Sequence, residues 1–298
     1  MQGYRRAMDA GPTSRWYSGA PLEMSVYLDS AIEEQYQSLI PRYPELQGQV
    51  AVVTGGAQGI GQGIVLRLAR EGMRVVIGDI DEQALAHTVS VLRDLGATVL
   101  SFHGDLSRPD DIRRLFDRTA EAFESVDLLV NNAADLTRGR LLDMHEDLLD
   151  HQLATNVRGP YLCSYHAAKI MSAGSGGSIV HISSVGALRA HWKGLPYDVT
   201  KGAINAMTRV MAIDLAEHNI RVNAVGPGAI RKLAPLPAEV RWIEEVTGRI
   251  PLQRLGLVSD ISSMVAFLAS PDARYITGQV IYVDGGITAQ LSPPGQPL

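Results

Sequence analysis

A serine, a tyrosine and a lysine lie close together between Ser184 and Lys201. Tyr197 precedes Lys201 by four residues, so on a helix the two side chains share one face. A lysine cation beside a tyrosine favours the phenolate and lowers the phenol pKa from its usual value of about 10. Such a phenol can donate or accept a proton, while the Ser184 hydroxyl binds the same substrate oxygen. These groups suit carbonyl reduction or alcohol oxidation, which also needs a partner that donates or accepts hydride.

The Tyr-x-x-x-Lys pattern alone is weak, because it occurs by chance in many helices where the tyrosine only packs.

The composition is that of an ordinary globular protein, with 298 residues, 46% of them hydrophobic, and a net charge of −5. No basic field indicates nucleic acid or an anionic membrane as a partner. The single Cys163 cannot form an internal disulfide. That cysteine usage is typical of a reducing cytoplasm.

The sequence shows no signal for a metal, a membrane span or a secretory leader. The eight histidines lack the paired spacing of metal ligands. No stretch approaches the ~20 apolar residues of a membrane helix, and the first twenty residues lack an apolar secretory segment. We therefore expect a cytoplasmic protein without a metal site and without a nucleic-acid or membrane partner.

Three segments are predicted: an N-terminal extension over residues 1–48, one domain over 49–290 and a tail over 291–298. The extension is turn-rich up to Pro21, and the apolar spacing from Met24 to Ile40 predicts a short amphipathic helix that two prolines end. Packing of this helix on a subunit surface is favoured over a catalytic role. The alternatives are a place in a groove of its own domain, a neighbouring subunit, or no contact.

From Gln49 onward, apolar strand patterns alternate with helical patterns. About seven strands are expected, beginning with Val50–Val53 and ending with Val280–Val283. Alternation of this kind predicts an α/β fold with crossover connections and a doubly wound parallel sheet in a single domain. In such sheets ligands bind at the carboxyl ends of the strands, where Asp79, Asn131 and Ser184 are expected.

A glycine-rich turn separates the first strand from the first helix of this domain, with Gly55, Gly59 and Gly61 in the spacing G-x-x-x-G-x-G. Such glycines let a pyrophosphate approach the backbone at the helix N-terminus. Asp79 ends the second strand, and a carboxylate there accepts hydrogen bonds from ribose hydroxyls and repels a 2′-phosphate. No arginine or lysine lies next to it, which predicts NAD rather than NADP. The alternative for Asp79 is a solvated acid at a strand end.

From about Gln49 to Thr288 the chain resembles a short-chain dehydrogenase/reductase with a compact Rossmann-like core. The resemblance covers about four-fifths of the chain and rests on a set of motifs that occur in order. They are Thr54-Gly55-x-x-x-Gly59-x-Gly61, Asp105 in Gly-Asp-Leu, Asn131-Asn132-Ala133, Asn156, Ser184, Tyr197-x-x-x-Lys201, Asn223, Pro227-Gly228 and Asp284-Gly285-Gly286.

The resemblance implies a role for each matching residue. Tyr197 is the expected general acid/base, Lys201 lowers its pKa and binds the nicotinamide ribose, and Ser184 orients the substrate oxygen. Asn156 is expected to hold a water that links Lys201 to solvent. The implied cofactor-binding set is Gly55, Gln58, Gly59, Ile60, Gly61, Asp79, Ile80, Asp105, Leu106, Asn131, Ala133, Tyr197, Lys201, Pro227, Gly228 and Ile230.

Two positions depart from the family pattern. The asparagine motif usually ends in glycine, whereas this chain has Ala134 there, and Lys232 replaces a threonine that commonly helps to hold the carboxamide. Lys232 also belongs to a set of residues expected near the substrate, with Arg189, His191, Trp192 and Arg231, and Lys193 adds a fifth basic group to this set. Their basic groups would attract a carboxylate or phosphate. In the alternative interpretation several of them point to solvent or meet acids, and Trp192 lines an apolar or ring-shaped site.

The predicted function is oxidation or reduction of a secondary alcohol or ketone of a small or cyclic metabolite with NAD(H). An NADPH-dependent reductase of 3-oxoacyl thioesters or polyketide-type ketones is the alternative within the family. A regulatory protein that binds the cofactor without turnover is the alternative outside enzymes. The resemblance also implies a homotetramer assembled through the long helices near residues 146–171 and 196–218, with a dimer as the second choice.

Overall fold

The structure is a computed structural model that describes residues 22–231, 240–293 and 295. The predicted turn-rich start before Leu22 and the predicted substrate residue Lys232 lie outside these ranges. The helices within them are α1 (Leu22–Ser38), α2 (Gly59–Arg70), α3 (Glu82–Asp94), α4 (Pro109–Phe123), α5 (Glu146–Leu153), α6 (Gly159–Ala173), α7 (Tyr197–Asp214), α8 (Val240–Thr247) and α9 (Val258–Ala269).

Seven parallel strands form the central sheet. Their bounds are β1 (Val50–Thr54), β2 (Arg74–Asp79), β3 (Val99–His103), β4 (Leu128–Asn131), β5 (Gly177–Ile182), β6 (Ile220–Pro227) and β9 (Val280–Val283). Their order across the sheet is β3-β2-β1-β4-β5-β6-β9. The strand order reverses between β1 and β4, and ligands bind at such a switch point in open α/β sheets. The predicted doubly wound parallel sheet is confirmed.

Both faces of the sheet are covered by helices, because the strand residues alternate between two apolar layers. On β1, Ala51 and Val53 pack in the layer of α2, α3 and α9, while Val50 and Val52 pack in the layer of α4 and α6. All four residues are fully buried. A strand buried on both faces reads as a continuous apolar run, which is why the sequence pattern located it.

The N-terminal helix packs on its own domain. Ile32 and Tyr36 of α1 are buried in the layer of α2 and α3, and the Arg70 guanidinium lies 5.2 Å from the centre of the Tyr36 ring. The chain that leaves α1 is held by Glu71, whose Oε2 accepts hydrogen bonds from the backbone N–H groups of Arg42 and Tyr43 at 2.8 and 2.9 Å. Of the alternatives open for this segment, the structure shows the packed arrangement.

Two local features differ from the sequence prediction. The expected continuous helix from about residue 146 to 171 is divided by a π-helical segment, Ala154–Arg158. Pro160 explains the change of register, because it has no N–H to return an α-helical bond to the Asn156 carbonyl oxygen. A second, two-stranded parallel sheet of β7 (Ile230–Arg231) and β8 (Gly256–Leu257) was not predicted, since two-residue strands carry no periodicity.

Candidate active site

Two elements at the carboxyl edge of the sheet present the predicted serine and tyrosine to each other. Ser184 follows β5, and its Oγ accepts a hydrogen bond from the Gly186 N–H at 3.0 Å, which caps a short 3₁₀ turn. Tyr197 opens α7 directly after Pro196. The Ser184 side chain lies close enough to the Tyr197 phenol to lower its pKa. The thirteen-residue spacing in the sequence therefore brings these two hydroxyl-bearing side chains together.

Tyr197 is buried, with 7% of its surface exposed, and its pKa lies above the usual value. Burial is the main cause, because it disfavours the charged phenolate; the Ser184 hydrogen bond and the positive charge of Arg138 act in the opposite direction. The expectation of a Tyr197 pKa below its usual value is therefore wrong for the protein without cofactor. Desolvation outweighs the nearby cation, and sequence spacing does not report desolvation.

Lys201 lies beneath Tyr197 on the next turn of α7, as the four-residue spacing predicts. Its Nζ is 5.6 Å from the centre of the Tyr197 ring and donates a hydrogen bond to the Ile182 carbonyl oxygen at 2.8 Å. Burial lowers the pKa of Lys201 from 10.5 to about 8. The ammonium is thus tied to the end of β5, at the same strand end that leads to Ser184.

Asn156 anchors the chain that follows β4. Its Oδ1 accepts a hydrogen bond from the Asp135 N–H at 2.8 Å, and its Nδ2 donates to the Asp135 carbonyl oxygen at 2.9 Å. The second Nδ2 hydrogen goes to Thr200 Oγ1 at 3.1 Å, next to Lys201 on α7. Because both amide hydrogens are committed, Asn156 fixes the loop after β4 against the helix that carries Tyr197.

The glycine-rich turn has the geometry that a dinucleotide phosphate requires. Gly55 has a φ of +62°, and a side chain there would press against the backbone of Ala133 at 2.8 Å. Helix α2 starts at Gly59 with no side-chain cap and no acid in its first turn, so its N-terminal N–H groups face the turn without a side-chain acceptor. The residues of this turn fit the pyrophosphate of a nicotinamide dinucleotide.

Asp79 lies at the end of β2 and contacts the same turn. One carboxylate oxygen accepts a hydrogen bond from the Ala57 N–H at 2.9 Å, and the other accepts from the Asp81 N–H at 3.0 Å. The carboxylate is therefore held in place beside the glycine turn. Ile80, the next predicted cofactor residue, is exposed at this edge.

The two asparagines of the motif after β4 bind different parts of the protein. Asn132 Nδ2 donates to the carbonyl oxygens of Thr54 and Gly55 at 3.0 and 2.8 Å, which ties β4 to the glycine turn. Asn131 instead points into the protein, where its Nδ2 donates to Ser164 Oγ at 3.0 Å. Asn131 was predicted to contact the cofactor, whereas Asn132 of the same motif received no predicted role.

The remaining predicted cofactor residues lie on neighbouring strand ends. Asp105 is half-buried and accepts a hydrogen bond from the Ser107 N–H at 2.9 Å, while Leu106 is buried beside it. Gly228 follows β6 and donates its N–H to the Val283 carbonyl oxygen at 3.1 Å. Ile230 belongs to β7. These positions surround the same sheet edge, and their contacts with a cofactor stay a prediction.

Of the predicted substrate residues, His191 lies beside Tyr197, with 6.5 Å between the ring centres. Its Nδ1 is 2.8 Å from an Asp198 carboxylate oxygen, and its backbone N–H donates to the other oxygen at 2.7 Å. Trp192 is exposed. Arg189 and Arg231 are exposed as well, and no contact joins them to Tyr197 within the described ranges.

The structure adds two arginines that the sequence analysis did not name. The Arg138 guanidinium lies 5.7 Å from the centre of the Tyr197 ring, and the Arg140 guanidinium lies 5.2 Å from the Trp192 ring. The Lys193 ammonium lies 4.7 Å from the same Trp192 ring. Arg138 and Arg140 both lie in the loop after β4, and the rule that places sites at strand carboxyl ends is the signal that could have identified them.

The combination of a switch point, a glycine turn and a Ser–Tyr–Lys cluster defines the class of nicotinamide-linked oxidoreductases. A family model described as enoyl-(acyl carrier protein) reductase matches residues 55–288. The chain is 37% identical to the 2-dehydro-3-deoxy-D-gluconate 5-dehydrogenase of Escherichia coli (strain K12) over 248 residues, which cover 82% of this chain and 97% of that protein.

Solved structures agree with this match. A short-chain dehydrogenase/reductase from Serratia marcescens BCRC 10948 has a TM-score of 0.77 and 35% identity, covering 82% of this chain and 99% of that one. A single-residue variant of the actinorhodin polyketide ketoreductase, solved with NADPH, has a TM-score of 0.77 and 30% identity, covering 82% of this chain and 98% of that one. The chain belongs to the short-chain dehydrogenase/reductase family. It is an oxidoreductase of that family, whose members bind a nicotinamide cofactor.

Membrane helices and metal clusters are both absent from the described part of the chain. None of the helices there combines the length and the apolar character that crossing a membrane requires. Across the same residues, no group of three or more His, Cys, Asp or Glu side chains converges as metal ligands would.

Proposed function

We propose that this protein is an NAD-dependent dehydrogenase that moves hydride between the cofactor and a secondary alcohol or ketone of a small or cyclic metabolite. The observation that carries the proposal is the contact of Ser184 with Tyr197 above the buried Lys201 ammonium. This cluster lies at the sheet edge that also presents the glycine turn. A proton-transfer group and a dinucleotide site are thus adjacent.

In the oxidative direction, the substrate hydroxyl gives its proton to the Tyr197 phenolate as hydride leaves the substrate carbon. The bound cofactor supplies the hydride acceptor at its nicotinamide ring. The Ser184 hydroxyl donates a hydrogen bond to the substrate oxygen and holds it beside the phenol. In reduction the same groups act in reverse, and Tyr197 donates the proton to the carbonyl oxygen.

In this proposal Lys201 and Asn156 support the proton transfer at the Tyr197 phenol. The Lys201 ammonium stabilises the phenolate and would bind ribose hydroxyls of the nicotinamide half of the cofactor. Its low pKa, about 8, lets it exchange a proton near neutral pH. The Asn156 side chain already bonds to Asp135 and Thr200. Its backbone carbonyl has no α-helical donor, because the residue four positions on is Pro160, which has no N–H. We therefore assign this carbonyl to a water that leads to solvent.

Asp79 supports NAD over NADP. Its carboxylate is 6% exposed and is fixed by two backbone N–H groups. In that position it offers acceptors to the two hydroxyls of the adenosine ribose and repels a 2′-phosphate. The neighbouring residues Gly78 and Ile80 bring no cation to offset that repulsion.

The second candidate function is an NADPH-dependent ketoreductase. Its support is the likeness to the actinorhodin polyketide ketoreductase, whose structure contains NADPH. The name of the Escherichia coli relative instead places sugar acids among the compounds to test first. Asp79 is the feature that separates the two functions.

Parallel titrations of the purified protein with NADH and NADPH test the cofactor proposal. We expect NADH to bind at least 10-fold more tightly, since each tenfold corresponds to only about 1.4 kcal/mol. The Asp79→Ala variant is expected to lose most of that preference. Tighter binding of NADPH by the wild type would contradict the proposal and move the ketoreductase function to first place.

We also propose a homotetramer, assembled through α6 and α7. Both helices carry large apolar side chains on the surface, and Tyr161, Tyr165, Val210 and Ile213 are each more than half exposed. Exposed apolar groups on adjacent helices are typical of subunit interfaces. Light scattering after size exclusion, at micromolar concentration, is expected to give four times the 32.2 kDa chain mass; a monomer would refute this. The cytoplasmic location stays a prediction from the sequence.

A further inference from the structure

Arg138 is an exposed residue of the loop after β4, and its guanidinium lies against the Tyr197 ring. Its guanidinium carbon is 5.7 Å from the ring centre. The buried Lys201 ammonium occupies a different place, since it bonds to the Ile182 carbonyl oxygen. A charged group of a substrate bound beside the Tyr197 ring would therefore lie within a few ångströms of Arg138.

The backbone on both sides of Arg138 is fixed. The carbonyl oxygen of Thr137 accepts a hydrogen bond from the side chain of Gln152, a fully buried residue, at 2.7 Å. The Gly139 N–H donates to the Leu195 carbonyl oxygen at 3.2 Å, so the loop is joined to the segment that leads into α7. These bonds hold Arg138 over the phenol rather than leaving it on a free loop.

Among the residues that the structure describes, no acid forms an ion pair with Arg138, and its guanidinium forms no hydrogen bond there. Two carboxylates of the surrounding segments are engaged by other groups. Asp198 is bound to His191, and Asp135 accepts hydrogen bonds from the backbone N–H and hydroxyl of Thr137 at 2.8 and 2.6 Å. The guanidinium N–H donors therefore remain available beside the reacting group.

We propose that the substrate carries a carboxylate a few bonds from the reacting carbon, and that Arg138 binds this carboxylate while Tyr197 holds the hydroxyl or carbonyl. This inference rests on the proposed dehydrogenase function and names the substrate class for it. A guanidinium matches a carboxylate with two parallel hydrogen bonds, which fixes orientation as well as charge. Arg140 and Lys193, both stacked on the Trp192 ring, add positive charge at the entrance.

Arg138 also acts on the proton-transfer group itself. Its positive charge lowers the pKa of Tyr197 and so offsets part of the effect of burial. A substrate carboxylate that pairs with Arg138 reduces this effect. Arg138 thus couples recognition of an acid to the protonation of the phenol. The pH profile of kcat should therefore depend on Arg138, which would not be so if the arginine had only a structural role.

The test compares acids with uncharged counterparts of the same size: D-gluconate with D-glucitol, and 3-hydroxybutyrate with its methyl ester. Turnover with NAD⁺ is expected to give the acid of the productive pair a kcat/KM about 10- to 100-fold above that of its counterpart, the range of a charge-assisted hydrogen bond. Arg138→Gln removes this preference, and Arg138→Lys keeps part of it. For the uncharged compound, Arg138→Gln shifts the pH profile of kcat upward.

Arg274→Gln is the matched control, because it removes the same charge from an exposed turn before β9, at the opposite edge of the sheet. It is expected to keep the acid preference. Equal efficiency for both members of a pair, or an acid preference that survives in Arg138→Gln, would overturn the inference and leave the dehydrogenase function standing.

If no compound is turned over, the same four are titrated into the NADH complex. Tighter binding of the acids that is lost in Arg138→Gln then supports the inference, and equal binding of acids and uncharged compounds overturns it. Absence of NADH binding would contradict the dehydrogenase function separately from this inference.

Discussion

The replacement Lys201→Met is expected to change how stability depends on pH. Burial lowers the pKa of Lys201 from 10.5 to about 8, and this gap corresponds to about 3 kcal/mol at 1.36 kcal/mol per pKa unit. Below pH 8 the folded chain carries the full cost of a buried ammonium. Between pH 8 and 10.5 the folded chain releases this proton before the unfolded chain does, so wild-type stability rises relative to the variant.

Urea unfolding of the cofactor-free protein at pH 7 and pH 9.5, at equal protein concentration, measures this difference. The wild type is expected to gain about 2 kcal/mol over Lys201→Met between the two pH values. Lys169→Met is the control, because Lys169 is exposed on α6, and it should follow the wild type throughout. Parallel curves for wild type and Lys201→Met would refute the reasoning, since they would mean that the ammonium is solvated.

Three substitutions test the supports of the site. In Gly61→Ala the methyl group collides with a carbonyl oxygen of the glycine turn, which should weaken NADH binding at least 10-fold and cost about 1–3 kcal/mol of stability. Glu71→Gln leaves the buried Arg67 guanidinium without its carboxylate and should cost about 3–5 kcal/mol in urea unfolding. In the wild type, Asn156 Nδ2 donates a hydrogen bond to the Asp135 carbonyl oxygen. Asn156→Asp replaces this donor with a carboxylate oxygen, which should lower the free energy of unfolding by about 1–3 kcal/mol and lower turnover.

Arg113→Gln serves as a common control for the stability measurements. It breaks an exposed ion pair with Asp110 on α4 and should cost less than about 1 kcal/mol. A loss of that small size in Glu71→Gln would show that Arg67 finds water or another acceptor. Unchanged NADH binding in Gly61→Ala would place the pyrophosphate away from the glycine turn, and unchanged turnover in Asn156→Asp would remove the loop anchor from the account.

The fold followed from the sequence because its signals are local. Runs such as Val50–Val53 are long enough to mark a buried strand, and their alternation with helical periods fixes a parallel sheet. The register break at Ala154–Arg158 was missed, although Pro160 carried the signal. Paired strands of two residues, β7 and β8, leave no pattern in the sequence.

The site was predictable where spacing alone decides geometry. Tyr197 and Lys201 share a helix face because they are four residues apart, and Ser184 follows a strand end. The pKa of Tyr197 was predicted with the wrong sign, because burial depends on residues far away in the chain. Arg138 was missed for a related reason: its place above the phenol depends on how the loop after β4 is tied to α5 and to the entry of α7.

The Tyr197→Phe variant tests the central claim most directly, through NADH titration and turnover of the acid and alcohol panel by the same preparation. The phenyl ring fills the same buried volume but has no proton to transfer. The variant is expected to bind NADH within about 3-fold of the wild-type affinity and to have a kcat lower by about 10²- to 10⁴-fold, the range of general acid–base catalysis. Turnover at the wild-type rate would contradict it and assign the proton transfer to another group.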